Sequence, residues 1–231
     1  VEEWINQHGG EIQYSRVKPK VDFVTTFPRT ALDRLIKNYS FYTSKGISAE
    51  TLETFFGGVA VRGKLKNRFV FPVFDKIGQI VGFAGRDLYG KKIVKWKILG
   101  PKKAFVYPLC INKTHIEKTR QIILVESIGD MLSLWEAGVR NVLVTFGLSL
   151  QPALFSCIIS LNPEQVVISL NNEQTTEKPT EKIHNQLKHV FDRGRVIEAL
   201  PFENDFGEMK PDAIKVWKKQ VDERRIVNKI V

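Results

Sequence analysis

The chain has 231 residues, of which 43% are hydrophobic, so it can bury a core as one large domain or two small ones. No apolar run approaches the roughly 18 residues of a membrane span and no signal peptide is visible, which excludes a membrane partner and favours a cytoplasmic location. The two cysteines, Cys110 and Cys157, cannot form a zinc ribbon, so no zinc is expected.

The net charge of +10 is concentrated in one segment of the chain. Residues 62–103 contain twelve Lys and Arg but only two acids, Asp75 and Asp87, and therefore hold the whole excess. Such a local surplus predicts a polyanionic partner, most simply a nucleic acid. A basic surface that serves solubility is the alternative interpretation.

The first half of the chain predicts a helical lead-in followed by an antiparallel sheet. Residues 1–20 are polar and are expected to be a tail or linker. Residues 30–56 are expected to be helical with a break near Gly46, after which Ser48 can cap a short helix. The runs 68–74 and 79–86 are rich in Val, Ile and Phe and flank a turn at 75–78, as in a meandering antiparallel sheet.

From Gln121 onward, apolar strands alternate with helices, which favours a parallel sheet covered on both faces. The fold class is therefore α/β, with an α+β N-terminal subdomain followed by a doubly wound parallel sheet. We expect a linker at 1–20, a basic subdomain at 21–119, the parallel-sheet domain at 120–209 and a C-terminal helix at 210–231. The predicted strands are 121–125, 141–145, 165–170 and 195–200, and the predicted helices are 129–137, 152–160, 181–191 and 211–226.

Acidic and amide side chains follow two strands of the predicted parallel sheet. Glu126 directly follows the first strand and Asp130 comes four residues later, while Asn171 and Glu173 follow the third strand. Because function gathers at the carboxyl ends of parallel strands, these side chains are expected to share one edge. Their oxygen atoms suit Mg²⁺ or Mn²⁺. Taken singly, Glu126 or Asp130 is equally consistent with an acid that stabilises a helix N-terminus.

The order of these motifs resembles the catalytic core of bacterial and phage DnaG-type primases. The segments 125–130 and 141–147 are similar to the Toprim domain of that family, where a glutamate and an aspartate four residues later follow a strand. Residues 67–75, 78 and 81–86, together with Lys95, Trp96 and Lys97, resemble the basic subdomain that precedes Toprim. The similarity extends over roughly residues 30–215.

The resemblance implies roles for individual residues. Glu126, Asp130 and Glu173 would be the catalytic acids, and Asn171 would join them as a metal ligand, with Glu126 also a proton acceptor. The family's nucleotide- and DNA-binding positions correspond to Arg68, Arg86, either Lys95 or Lys97, and either Lys102 or Lys103, so all six basic residues are candidates. Trp96 would either stack on a base or pack within the core.

One position departs from the family pattern. The family has an Asp-x-Asp pair after the third strand, whereas this chain has Asn171 and the longer Glu173. An amide oxygen can bind Mg²⁺ but adds no charge, so metal binding is expected to be weaker or to enlist a neighbour such as Asp205.

The resemblance implies metal-dependent synthesis of short RNA primers from nucleoside triphosphates on single-stranded DNA, in a bacterial cell or a phage-infected one. A replicative helicase would be a partner only through regions outside this sequence. Two alternatives remain: a non-catalytic protein that binds single-stranded nucleic acid, and a Toprim nuclease.

Overall fold

The computed structural model describes residues 25–90, 94–172, 179–192 and 194–230. They form two sheets, one antiparallel and one parallel, as the sequence predicts. The predicted linker at 1–20 and the predicted metal ligand Glu173 lie outside the described residues. No helix within the described ranges combines the length and the apolar character needed to cross a bilayer.

The antiparallel sheet has five strands that pair in chain order. They are β1 (Leu35–Ile36), β2 (Gly58–Ala60), β3 (Arg68–Phe74), β4 (Ile80–Asp87) and β5 (Trp96–Leu99). The β3–β4 hairpin closes through Asp75, whose carboxylate accepts hydrogen bonds from the backbone N–H groups of Ile77 and Gln79, each at 3.0 Å. Gly78 supplies the left-handed φ of +81° in this turn. The predicted turn is confirmed.

The lead-in is less helical than predicted. It contains a 3₁₀ helix (Arg29–Arg34), then β1, then the short helices α1 (Ser40–Thr43) and α2 (Ala49–Thr54). The prediction of a helical stretch through Leu35 and Ile36 is wrong because these residues pair with Ala60 and Val59 as an edge strand. The cap of α2 is confirmed, since the Ser48 hydroxyl accepts a hydrogen bond from the backbone N–H of Thr51 at 3.2 Å.

The parallel sheet has the order β7-β6-β8-β9. Its strands are β6 (Gln121–Val125), β7 (Val142–Val144), β8 (Gln165–Ile168) and β9 (Val196–Glu198). The helices of this half are α3 (Leu109–Thr119), α4 (Ile128–Glu136), α5 (Pro152–Leu161), α6 (Pro179–Leu187) and α7 (Pro211–Ile230).

Both faces of the parallel sheet are buried. Ile123 and Val125 of β6 pack in the cluster that includes residues of α4 and α7, whereas Ile122 and Leu124 pack in the cluster that includes residues of α3, α5 and α6. Because alternate residues of a strand point to opposite faces, the uninterrupted apolar run of β6 requires helices on both sides. The doubly wound arrangement is confirmed.

The two sheets share a core, which fixes the walls of the space between them. Phe55, after α2, contacts Tyr107 with ring centroids 6.3 Å apart and Trp135 of α4 at 4.9 Å. Glu136 at the end of α4 accepts hydrogen bonds from the backbone N–H and the hydroxyl of Ser48, each at 2.7 Å. Side chains that reach this space from either sheet are thus held in a defined relation.

Candidate active site

The carboxyl end of β6 brings two acids to one edge of the parallel sheet. Glu126 follows the buried strand and is partly exposed, and Ser127 begins α4 as its N-cap. Asp130 closes a capping box, because its carboxylate accepts hydrogen bonds from the Ser127 hydroxyl at 2.7 Å and from the Ser127 backbone N–H at 3.1 Å. The cap thereby fixes the Asp130 carboxylate.

Asp130 is buried, with 3% of its surface exposed. Burial raises its pKa to about 6, the Ser127 hydrogen bond acts in the opposite direction, and the charges of Asp205 and Glu126 raise the pKa further. Carboxylates that repel one another at a buried position favour a cation between them. The electrostatics of this position therefore suit a divalent metal ion.

Two further loops reach the same place. Asn171 follows β8 and is half-buried, and Asp205 and Glu208 lie in the turn after β9. The Asp205 carboxylate accepts a hydrogen bond from the backbone N–H of Glu208 at 3.0 Å, which orders this turn. We call Glu126, Asp130, Asn171 and Asp205 the acidic edge.

The described residues alone do not form a complete metal site at the acidic edge. Among them, which exclude Glu173, no group of three or more His, Cys, Asp and Glu side chains is arranged to hold a metal ion. The groups of the acidic edge nevertheless offer oxygen atoms, from three carboxylates and one amide. That donor set fits Mg²⁺ or Mn²⁺ and does not fit zinc, which prefers nitrogen and sulfur ligands.

A basic surface faces the acidic edge across a pocket of about 420 Å³. Arg86 comes from β4, Trp96 is the first residue of β5, and Lys95 directly precedes it. Arg86 lies over the Trp96 ring, 5.7 Å from its centroid, and its charge acts on both Asp205 and Asp130. We call Arg86, Lys95 and Trp96 the basic wall. An anion that carries a metal ion can enter between the wall and the edge.

Arg68, which was predicted to bind nucleotide or DNA, does not line this pocket. Its side chain is 4% exposed, and its guanidinium donates hydrogen bonds to the carbonyls of Gly85 at 3.0 Å, Val94 at 2.9 Å and Lys95 at 3.3 Å. These bonds use three of the five N–H donors of the guanidinium, and binding of nucleotide or DNA by Arg68 stays a prediction. Arg68 instead ties the entry of β5 to β4 and so supports the backbone that carries Lys95.

Three other predicted basic residues lie outside the pocket. Lys97 is exposed on β5 opposite Gly85, and Lys102 and Lys103 are exposed on the 3₁₀ helix Lys102–Ala104. The Lys102 ammonium donates a hydrogen bond to the carbonyl of Phe146 at 3.1 Å. Their binding to DNA stays a prediction.

Lys45 and Tyr42 are pocket residues that the sequence interpretation missed. Both come from the segment around α1. The Tyr42 hydroxyl is buried and has no hydrogen-bond partner among the described residues. Burial raises the pKa of this phenol, so Tyr42 remains neutral near the charges of Arg86 and Asp130. The available signal in the sequence was the turn Gly46-Ile47-Ser48, which directly follows Lys45 and separates α1 from α2.

Comparison with known proteins agrees with this architecture. Residues 123–209 match a family model described as Toprim-like. The chain is 30% identical over 136 residues to a DNA primase of Helicobacter pylori, covering 57% of this chain and 24% of that protein. It is 27% identical over 187 residues to a DNA primase of Borreliella burgdorferi, covering 77% of this chain and 34% of that protein. The chain thus spans about a quarter to a third of these curated relatives.

Solved structures share the fold of both halves of the chain. A DNA primase domain from Pseudomonas aeruginosa superposes with a TM-score of 0.66 at 16% identity, covering 83% of this chain and 76% of that one. The zinc-binding and RNA polymerase domains of the Aquifex aeolicus primase give a TM-score of 0.64 at 21% identity, covering 82% and 55% of the two chains. A structure of the DnaG primase catalytic domain bound to single-stranded DNA gives 0.64 at 17% identity, covering 80% and 71%. This chain therefore has the fold of the DnaG-type primase catalytic core, and its residues 123–209 are similar to the Toprim-like family.

Proposed function

We propose that this chain is a primase catalytic core, which synthesises short RNA primers on a single-stranded DNA template. The observation that carries the proposal is the juxtaposition of the acidic edge and the basic wall across one pocket. Primer synthesis joins the 3′-hydroxyl of one nucleotide to the α-phosphate of another. It therefore needs a group that accepts the hydroxyl proton and groups that bind the negative triphosphate.

The acidic edge supplies the first requirement. Glu126 is the carboxylate nearest the strand end and remains partly exposed, so it is the residue we assign to accept the proton of the attacking hydroxyl. Glu126, Asp130, Asn171 and Asp205, with Glu173, would hold Mg²⁺ or Mn²⁺. A bound divalent ion lowers the pKa of the hydroxyl and neutralises phosphate charge.

The basic wall supplies the second requirement. Arg86 presents a planar guanidinium that can bind two phosphate oxygens at once, and Lys95 adds a compact positive charge beside it. Trp96, which lies against Arg86, offers a flat surface for a base. The exposed Lys97, Lys102 and Lys103 would hold the template backbone outside the pocket.

Incorporation of labelled nucleoside triphosphates on single-stranded DNA, with Mg²⁺ or Mn²⁺ present, tests this proposal. We expect the wild-type chain to form short RNA and the Glu126→Gln variant to lose at least about a hundredfold in rate, as for removal of a general base. Glu181→Gln, an exposed acid on α6, is the matched control and should retain full activity.

Two results would contradict the proposal. DNA cleavage by the wild-type chain without triphosphates would indicate a nuclease. DNA binding without any metal binding or product would indicate a non-catalytic binding protein.

A further inference from the structure

Tyr42 is a neutral side chain that reaches the pocket from the helical lead-in. It lies in α1, and 4% of its surface is exposed. Its ring meets the rings of Phe69 and Phe71 on β3 edge-on, with centroids 4.9 Å and 5.7 Å away, and the ring of Phe41 at 5.0 Å. Because the hydroxyl lies on the axis of the ring, this packing also fixes the position of the hydroxyl oxygen.

The Tyr42 hydroxyl has no hydrogen-bond partner among the described residues, although it is buried. A buried polar group without a partner lowers the stability of a protein, whereas phenylalanine would fill nearly the same space without that loss. Tyr42 also lines the pocket between the acidic edge and the basic wall. An unpartnered hydroxyl at the border of a binding pocket indicates a hydrogen bond that forms when the pocket is occupied.

Two groups of opposite charge act on this hydroxyl. Burial raises the pKa of the Tyr42 phenol, the Arg86 guanidinium lowers it, and the Asp130 carboxylate raises it further. A phenol that keeps its proton can donate one hydrogen bond and can also accept one. Arg86 offers only donors and an ionised Asp130 offers only acceptors, so the two neighbours match the two capacities of the hydroxyl.

Arg86 and Asp130 both keep groups with which the hydroxyl can bond. The two hydrogen bonds from Ser127 end on the same Asp130 oxygen, Oδ2, so neither of them occupies Oδ1. A carboxylate oxygen has two lone pairs, and Oδ1 can therefore bind a metal ion and accept a hydrogen bond together. The Arg86 guanidinium lies over the Trp96 ring, a contact with the ring face that uses no hydrogen-bond acceptor.

We propose that Tyr42 is a positioning residue of the candidate active site, whose hydroxyl accepts a hydrogen bond from Arg86 and donates one to Asp130 when a metal-bound nucleotide occupies the pocket. The bridge would connect the basic wall to the acidic edge and hold both at one separation around the ligand. This inference rests on the proposed function of the same pocket. It assigns to the lead-in a role that involves no charge and no contact with the nucleotide.

The substitution Tyr42→Phe tests the bridge, because it removes the hydroxyl and keeps the ring. Tyr107→Phe is the matched control, since the Tyr107 hydroxyl is also buried without a partner among the described residues, but Tyr107 does not line the pocket. In EDTA, urea unfolding should show both variants to be at least as stable as the wild type. Calorimetry with Mn²⁺–ATP should show an affinity about fivefold or more weaker in Tyr42→Phe and within about twofold of wild type in Tyr107→Phe.

A double-mutant cycle separates a positioning role from direct binding of the nucleotide. If the hydroxyl acts by joining Arg86 to Asp130, Tyr42→Phe in an Arg86→Ala background should weaken Mn²⁺–ATP binding by about twofold or less, since half of the bridge is already lost. The full loss in both backgrounds would mean that the hydroxyl contacts the nucleotide itself, and this would overturn the positioning role.

Unchanged affinity for Mn²⁺–ATP in Tyr42→Phe would also overturn the inference, while loss of primer synthesis in Glu126→Gln would leave the proposed function intact. A Tyr42→Phe variant that unfolds at lower urea than the wild type would show that the hydroxyl serves the fold and not the ligand-bound pocket. Equal weakening by Tyr107→Phe would indicate a general effect of the shared core. A wild-type chain that does not bind Mn²⁺–ATP would remove the proposed function and the inference together.

Discussion

The acidic edge and the basic wall come from sheets of opposite kind, and they differ in how directly sequence position determines side-chain role. In the parallel sheet, every strand ends at the same edge, so Glu126 after β6 and Asn171 after β8 reach one place. In the antiparallel sheet, strand ends alternate between edges and the faces differ in burial. Arg68 and Arg86 lie on neighbouring strands, yet the Arg68 side chain is buried and the Arg86 side chain lines the pocket. The role of a basic residue in such a sheet can therefore be assigned only once its environment is known.

The largest expected effect is a difference in the free energy of unfolding between variants of these two arginines. Arg68→Ala should lower the free energy of unfolding by about 3 kcal/mol, because it removes the hydrogen bonds from a buried guanidinium to the carbonyls of Gly85, Val94 and Lys95. Arg86→Ala should lower it by less than about 1 kcal/mol, since that side chain lines an open pocket. Urea unfolding followed by circular dichroism measures both. Arg62→Ala, at an exposed position, is the control. Equal destabilisation by Arg68→Ala and Arg62→Ala would contradict a structural role of Arg68.

The next effect concerns the free energy of unfolding that is lost because Asp130 is buried at the acidic edge. The pKa of Asp130 in the folded chain, about 6, exceeds its ordinary value of 3.8, so folding favours the protonated form. The contribution of Asp130 to stability should therefore be most favourable below about pH 4 and fall as pH rises through 6, by about 1–3 kcal/mol. Asp130→Asn keeps an oxygen that can accept the Ser127 hydrogen bonds but carries no charge.

We therefore expect Asp130→Asn, in EDTA, to be more stable than wild type at pH 7.5 and nearly equal at pH 4. Urea unfolding at the two pH values measures the difference. Added Mn²⁺ should stabilise the wild-type chain and leave the variant unchanged. A variant no more stable than wild type at pH 7.5 would mean that Asp130 carries no electrostatic strain.

The helices, strands and acidic edge were largely predictable, because their signals are local. The uninterrupted apolar run of β6, the Ser127 cap and Asp130 in the first turn of α4 together position the acids at a strand end. Strand β1 was not predictable. It has only two residues, and its pairing with β2 depends on a partner more than twenty residues away.

The sequence also did not predict which basic residues line the pocket and which lie outside it. Lys45 stands in a turn, where an exposed lysine is ordinary, and only the shared core of the two sheets brings it to the acidic edge. Asn171 and the neighbouring acid Asp205 were both named from the sequence, but the position of Asp205 near Asp130 depends on how the turn after β9 folds.

A smaller effect sharpens the account of the acidic edge. Asn171→Asp adds a carboxylate where the related family carries one, and it should tighten Mn²⁺ binding by about tenfold, because ligand charge sets the affinity of oxygen sites. Asn172→Asp, at the adjacent exposed position, is a matched control and should change affinity little. Calorimetry with Mn²⁺ compares them. The same gain in both variants would indicate a general charge effect in place of a ligand at position 171.

The smallest effect tests the basic residues outside the pocket. Lys102→Gln and Lys103→Gln should each weaken binding of single-stranded DNA about twofold to threefold and reduce the salt slope by somewhat less than one, as expected for one phosphate contact. Fluorescence anisotropy at several salt concentrations measures both quantities. Nucleotide affinity should not change. A slope identical to wild type would remove these lysines from the template path.

The central claim is that the acidic edge and the basic wall act on one metal-bound nucleotide. A double-mutant cycle with Glu126→Gln and Arg86→Ala, read as the dissociation constant of Mn²⁺–ATP by calorimetry, tests it most directly. We predict a coupling energy of at least about 1 kcal/mol between the two positions, since each holds a different end of the same ligand. Strictly additive losses would mean that the two regions bind separate partners, and this would contradict the account.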